Sequence, residues 1–412
     1  VNGRHALVGT CLLLGTNLIL SNNANAAPTR FCVEYDASLV DVYPGAGDDF
    51  FTNDDAPVSA DGVYVKVVRN ADKTTIFEGY TEDSGTNAGC TSYLSLSSTE
   101  SYGVVVSSKA SITGNTFEVR DDPTTMDLYL YAVASVAPLP TPSTITVTTP
   151  TTPWWNIAAA ARLPAQRVYS AFSGKTITLY PQSCPTGGGS CAGESAVFIN
   201  GGDTDNKYVI AHELGHTAAR TANGGLASSM DYTAPATTCT GGVHHSFVSK
   251  EYQSAAVAEG LAHFLAAWSF NDNTESDCVF VTWGTGPDWD RLDPDPQGAP
   301  QTSYQAFSCE ASPVPDEATG PFDYLGETCD PPFAHHGNEY DWLRFWWDFT
   351  TDGGVDVVDC LNIWAGAGPD SWNPTDTGLP VDFPPSRLEV SAAALGFTTP
   401  WQAYDNLNGV MR

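Results

Sequence analysis

His212, Glu213 and His216 stand together in the run His212-Glu213-Leu214-Gly215-His216. On a helix the two histidines, four residues apart, present both imidazoles on one face about one turn from each other. That spacing suits joint ligation of a single Zn²⁺, with Glu213 placed beside the metal's open position as general base. The competing reading is a surface helix that happens to carry two histidines. With only eight His among 412 residues, composition does not account for the pattern, and the surrounding sequence favours the metal site.

A catalytic zinc site takes three protein ligands and leaves one position for water. A metzincin would continue with His-x-x-Gly-x-x-His, but Ala219 and Ala222 occupy those positions. The later Ser228-Ser229-Met230-Asp231-Tyr232 echoes a metzincin methionine turn, and without the third histidine that echo is read as coincidence. Further on, a helix is expected from about 250 to 270, capped by Ser249. It contains Ala258-Glu259-Gly260-Leu261-Ala262-His263-Phe264. A carboxylate in so apolar a helix is costly to bury unless something compensates it, and Zn²⁺ would. Gly260 weakens the helix, which fits a close approach by the zinc helix. His263 shares the face of Glu259 and is placed to orient a ligand from behind. Glu259 as a salt-bridged glutamate, His263 as a core histidine, and His244 or His245 as the third ligand remain open.

With these residues the chain resembles the gluzincins, thermolysin-like and aminopeptidase-like zinc peptidases that take two histidines from His-Glu-x-x-His and a glutamate from a second helix. The resemblance covers about 196–270. It implies His212, His216 and Glu259 as zinc ligands and Glu213 as the base. The interval of about forty residues between His216 and Glu259 exceeds the common spacing and implies an inserted loop. Gluzincins usually supply a Tyr or His from a later region to stabilise the oxyanion. The cluster from His335 to Asp348 offers His336 and Tyr340 for that role. Asn338 is a plausible cap for its helix, whose aromatic face reads mostly as core.

The elements that must position these groups fall into two halves. Between about Phe31 and Val136, segments such as Gly62–Val68, Thr75–Tyr80, Ser101–Val106 and Met126–Tyr131 read as short strands, and together as a small all-β sandwich. This part resembles the prealbumin-like or carboxypeptidase-regulatory-like accessory domains of secreted proteins. Ala137 to Pro153, rich in Pro and Thr, reads as a semi-rigid linker, although Ile145 and Val147 are also suited to one more strand. Beyond it, Trp154–Ser170 reads as a helix, and Thr176–Tyr180 and Ala196–Asn200 as strands. The zinc helix follows, capped by Asp203, Thr204 or Asp205 and ending near Asn223-Gly224-Gly225. The fold class expected is therefore multi-domain: an N-terminal all-β sandwich (27–136), a linker (137–153), and an α+β zincin-like domain (154–412) mainly helical in its C-terminal half.

The charge balance excludes some partners. Against 48 acidic residues stand only 17 Lys and Arg, a formal −31, so no basic surface is expected to track a phosphate backbone. The first 26 residues read as a secretion signal: Arg4 and His5, then an apolar run from Ala6 to Leu20, then Ala24-Asn25-Ala26 as a cleavage site. Export makes disulfides the natural state of the cysteines, with Cys184–Cys191 closing a Gly-rich loop and Cys32 pairing with Cys90. Stable membrane insertion after signal cleavage is not expected. These expectations describe a secreted zinc peptidase acting on peptides or proteins, with Ala196–Asn200 offering an edge for an extended substrate. The alternative from another class is an exported adhesion or surface-scaffold protein with an inactive zincin domain.

Overall fold

The computed structural model describes residues 26–36, 57–230, 251–271, 279–283, 304–308, 336–337, 339–351, 355–374 and 384–397. Residues 1–25 of the secretion signal, Ser249, His244, His245 and Asn338 lie outside the described residues. A β-sheet-rich N-terminal region leads into a mixed α+β region and then a mostly helical C-terminal segment.

The first sheet is built on β1 (Ala26–Tyr35), which pairs antiparallel with β2 (Val58–Ser59). The second sheet begins with β3 (Val63–Arg69) and β4 (Thr75–Tyr80), antiparallel to each other. Along β3 the residues Val63, Val65 and Val67 are buried while Tyr64 and Lys66 face outward, the period-two pattern of a strand covered on one face. β5 (Leu94–Ser97) returns to pair with β1, and β6 (Tyr102–Ile112) joins β3. β7 (Asn115–Val119) and β8 (Leu130–Val136) both pair with β6. The Pro/Thr-rich stretch supplies β9 (Ser143–Thr149), parallel to β1 over seven residue pairs. Ile145 and Val147 thus lie in a strand. Phe31, Val33 and Val147 of the first sheet and Val65, Val104 and Val106 of the second belong to one buried cluster. The Cys32–Cys90 disulfide ties β1 to the loop before β5.

Pro153 sits at the first position of α1 (Pro153–Arg167), where its fixed φ and missing N–H cost nothing. β10 (Thr176–Tyr180), β11 (Cys191–Ala192) and β12 (Ala196–Phe198) then extend the second sheet, because β10 pairs parallel with β7. The order across that sheet is β11-β12-β10-β7-β6-β3-β4, with β8 also on β6. Ladder hydrogen bonds therefore cross from strands before the Pro/Thr-rich stretch to strands after it.

The helical part is a stack of α2 (Lys207–Ala222), α3 (Gln253–Phe270) and α4 (Glu339–Thr351), followed by α5 (Val357–Gly366) and α6 (Pro384–Ala394). α3 is apolar around its whole circumference and is buried on every side, as such a helix must be. α2 and α4 flank it. α4 contributes the fully buried Trp342, Trp346 and Trp347, and the Trp342 indole N–H donates to Gln253 Oε1 at 2.7 Å. The aromatic face read from sequence is core. β13 (Glu251–Tyr252) leads into α3 and pairs with β16 (His336–Gly337), which precedes α4. Between them in sequence lies the hairpin of β14 (Val279–Trp283) and β15 (Tyr304–Ser308).

Candidate metal centre

α2 starts at Asn206, whose side chain accepts from the N–H groups of Tyr208 and Val209. The expected caps Asp203, Thr204 and Asp205 fall just short. Asp203 is held instead by the Ser190 hydroxyl, which donates to Oδ2 at 2.7 Å. The helix ends where expected, with Asn223 as its cap and Gly224 and Gly225 at positive φ.

Two glycines set how closely the helices approach. A Cβ on Gly215 would lie 2.9 Å from the carbonyl oxygen of Ala262, so α3 packs against the backbone of the zinc motif itself. A Cβ on Gly260 would lie 2.2 Å from Trp342 Cβ and 2.7 Å from the carbonyl oxygen of Glu339. The neighbour admitted by Gly260 is therefore α4, not the zinc helix.

The close packing at Gly215 brings Glu259 to the two histidines. Nε2 of His212 and Nε2 of His216 lie 3.0 Å apart. Glu259 Oε2 is 3.0 Å from His216 Nε2 and 3.1 Å from His212 Nε2. Donor atoms held by tetrahedral zinc at about 2.05 Å lie roughly 3.3 Å apart, so the triangle fits one face of such a site. Burial, with His263 and His216 alongside, lowers the His212 imidazole to about 3 against the pull of Glu259. A neutral imidazole whose Nε2 faces two other ligand atoms is in the charge state a metal requires. This His212-Glu213-x-x-His216…Glu259 arrangement matches the gluzincin type and is suited to Zn²⁺.

Behind the triangle, the ring of His263 lies 4.2 Å from that of His212. Its Nε2–H donates to Glu339 Oε2 at 2.7 Å. His263 thus braces a ligand ring by packing while anchored to α4. Glu339 was not singled out in the sequence, because only the fold brings α4 to His263.

A cleft of about 220 Å³ opens over the triangle, lined by His212, Glu213, His216 and Glu259 on one side and by Ser190–Gly193 on the other. Its remaining wall includes Arg220, Leu226, Met230 and Trp364. Trp364 is fixed by its indole N–H, which donates to the carbonyl oxygen of Ala219 at 3.1 Å. Met230, from the stretch read as a coincidental echo, borders the site. The edge expected of Ala196–Asn200 is already paired: β11 covers β12 at Val197 and Phe198. The rim that borders the cleft is β11 itself, in the loop closed by the Cys184–Cys191 disulfide.

Tyr340 is 1% exposed, with the Arg344 guanidinium over its ring, and it is not among the residues lining the cleft. His336 lies in β16, opposite Tyr252 at the start of α3. No helix among the described residues is long and apolar enough to cross a membrane. No protein family and no curated protein matches the chain, so the functional conclusion rests on the geometry of the centre.

Proposed function

We propose that the chain is an exported zinc-dependent peptidase. The observation that carries this reading is the convergence of His212 Nε2, His216 Nε2 and Glu259 Oε2 to within 3.0–3.1 Å, beside Glu213 on the wall of an open cleft. Two disulfides among the described residues favour an oxidising destination.

His212 and His216 would hold the metal from one face of α2, and Glu259 would supply the compensating negative charge from α3. Bound there, zinc would lower the pKa of water and polarise a carbonyl group. Glu213, next to His212 and three residues before His216, takes the proton from the attacking water and delivers it to the leaving amine. An extended peptide backbone can pair with β11, the outermost strand of its sheet among the described residues, which aligns the scissile bond over the centre. Of the two residues considered for the oxyanion, the burial of Tyr340 favours His336.

Purified protein should carry stoichiometric zinc. A chelator should abolish hydrolysis of casein or a quenched peptide, and added zinc should restore it. Glu213→Gln should keep the zinc and lose about 10²–10⁴-fold in kcat. Protein free of zinc, or undiminished hydrolysis in that variant, overturns the reading. His336→Ala should lower kcat by about 10²–10³-fold with zinc content unchanged. Unchanged kcat would remove His336 from the oxyanion role.

A further inference from the structure

Arg220 lies on α2 one turn beyond His216, so His212, His216 and Arg220 repeat at intervals of four residues along one helix. It is half-buried and is the sole Lys or Arg among the described residues lining the cleft. A Cβ added at Gly193 would lie 3.9 Å from Arg220 Nη1, which places the guanidinium beside the β11 rim.

No carboxylate or other hydrogen-bond partner sits on Arg220 among the described residues. Every other arginine there has its guanidinium on an oxygen atom or over an aromatic ring. Arg162 lies 2.9 Å from Asp61, Arg120 pairs with Glu118, Arg167 donates to the carbonyl oxygen of Asn271, and Arg344 covers Tyr340. In a chain with 48 acidic residues and only 17 basic ones, an arginine with no acidic partner among the described residues is conspicuous. Leu226, Met230 and Trp364 line the same cleft, and apolar surroundings strengthen an ionic hydrogen bond.

We infer that Arg220 is a specificity-determining residue that receives a carboxylate of the peptide substrate, so that the cleft selects acidic or carboxyl-terminal sequences. The inference rests on the peptidase reading above. A guanidinium fork matches a carboxylate with two parallel hydrogen bonds. One helical turn is about 5.4 Å and an extended peptide advances about 3.3 Å per residue. The carboxylate therefore belongs about two residues from the scissile bond. Its source is an acidic side chain at that position or the free C-terminus of a short peptide.

The test uses the full zinc-loaded chain and two peptide sets. In the first, amidated peptides carry Glu, Gln or Lys at each of two positions on either side of the cleaved bond. In the second, peptides without acidic residues end in a free or an amidated carboxyl group. Wild type should show kcat/KM about tenfold to a hundredfold higher for the carboxylate-bearing member of one set. Arg220→Gln should bring that ratio towards one with zinc content unchanged, and Arg220→Glu should favour Lys over Glu. A ratio that persists in Arg220→Gln, or no ratio in either set, overturns the assignment.

The same ratios measured as Kd in zinc-loaded Glu213→Gln read Arg220 without catalysis. Binding that depends on Arg220 in a protein that hydrolyses nothing would sink the peptidase reading and keep the carboxylate site. Hydrolysis without charge preference would do the reverse. Neither hydrolysis nor carboxylate-dependent binding would sink both.

Discussion

Asp61 in the turn before β3, Glu118 on β7 and Glu259 in the helical stack are comparably buried, at 2%, 6% and 2% exposure, yet their partners differ in kind. Asp61 accepts from Arg162 at 2.9 Å, Gln166 at 2.7 Å and Ser59 at 2.6 Å. Glu118 lies between Lys109 at 3.1 Å and Arg120 at 2.6 Å. These carboxylates face permanent cations. Glu259 instead faces two imidazoles, one of which burial keeps neutral. The two carboxylates of the β-rich part meet lysine and arginine, whereas the Glu259 carboxylate meets the two imidazoles with which it forms the metal-binding triangle.

The largest expected effects come from removing one charge in each region. Asp61→Asn strands the Arg162 guanidinium, whose side chain is 13% exposed, and should cost about 3–5 kcal/mol in urea unfolding. Glu259→Gln in metal-free protein should cost less than about 1 kcal/mol, since the imidazoles 3.0–3.1 Å from its carboxylate carry no permanent charge. Its zinc affinity should fall by more than the roughly hundredfold that outer-shell changes cost. Equal destabilisation by the two substitutions would erase the distinction. A smaller effect sharpens it through packing. Gly260→Ala drives a methyl group into Trp342 and should lose about 1–3 kcal/mol. Gly79→Ala, on the strand β4, meets Phe77 at an ordinary 3.4 Å and should stay within about 0.5 kcal/mol of wild type. Thermal or urea unfolding of the pair measures both.

How much of this was legible in the sequence follows the same division between local and distant causes. The His212–His216 spacing and the burial of Glu259 in an apolar helix are local patterns, and the helices they announce are present. The pairing of Cys184 with Cys191 is local too. The cap of α2 was misplaced by up to three residues because Asp203 is claimed by Ser190, a contact made only when β11 folds back. The neighbour of Gly260 was misassigned because α4 lies about eighty residues further along the chain. The second sheet draws on β10 through a parallel pairing with β7 that spans α1, and no strand pattern names its partner. Arg220 was visible as the next step of the four-residue repeat. That it borders the cleft depends on where β11 and α5 fall.

The remaining effect concerns the protons of the stack. The folded His212 imidazole is lowered to about 3 from an ordinary 6.5, first by burial and then by His263 and His216. Between those values the unfolded chain holds a proton that the folded, metal-free chain does not, so acid favours unfolding. Stability should therefore be intact above about pH 6.5 and fall as pH drops below it, by up to about 1.4 kcal/mol per pH unit for one proton. The loss levels off near pH 3, where the folded imidazole also protonates. Bound zinc excludes the proton from the same lone pair and adds its own binding energy to the folded state, so metal competes directly with acid. Urea midpoints of metal-free wild type and His212→Gln, measured from pH 7 to pH 5, separate this source from the carboxylates of the sheets. Wild type should lose stability faster than the variant over that range. Parallel curves would place the acid sensitivity outside His212, and the two regions would then differ in partners without differing in their response to pH.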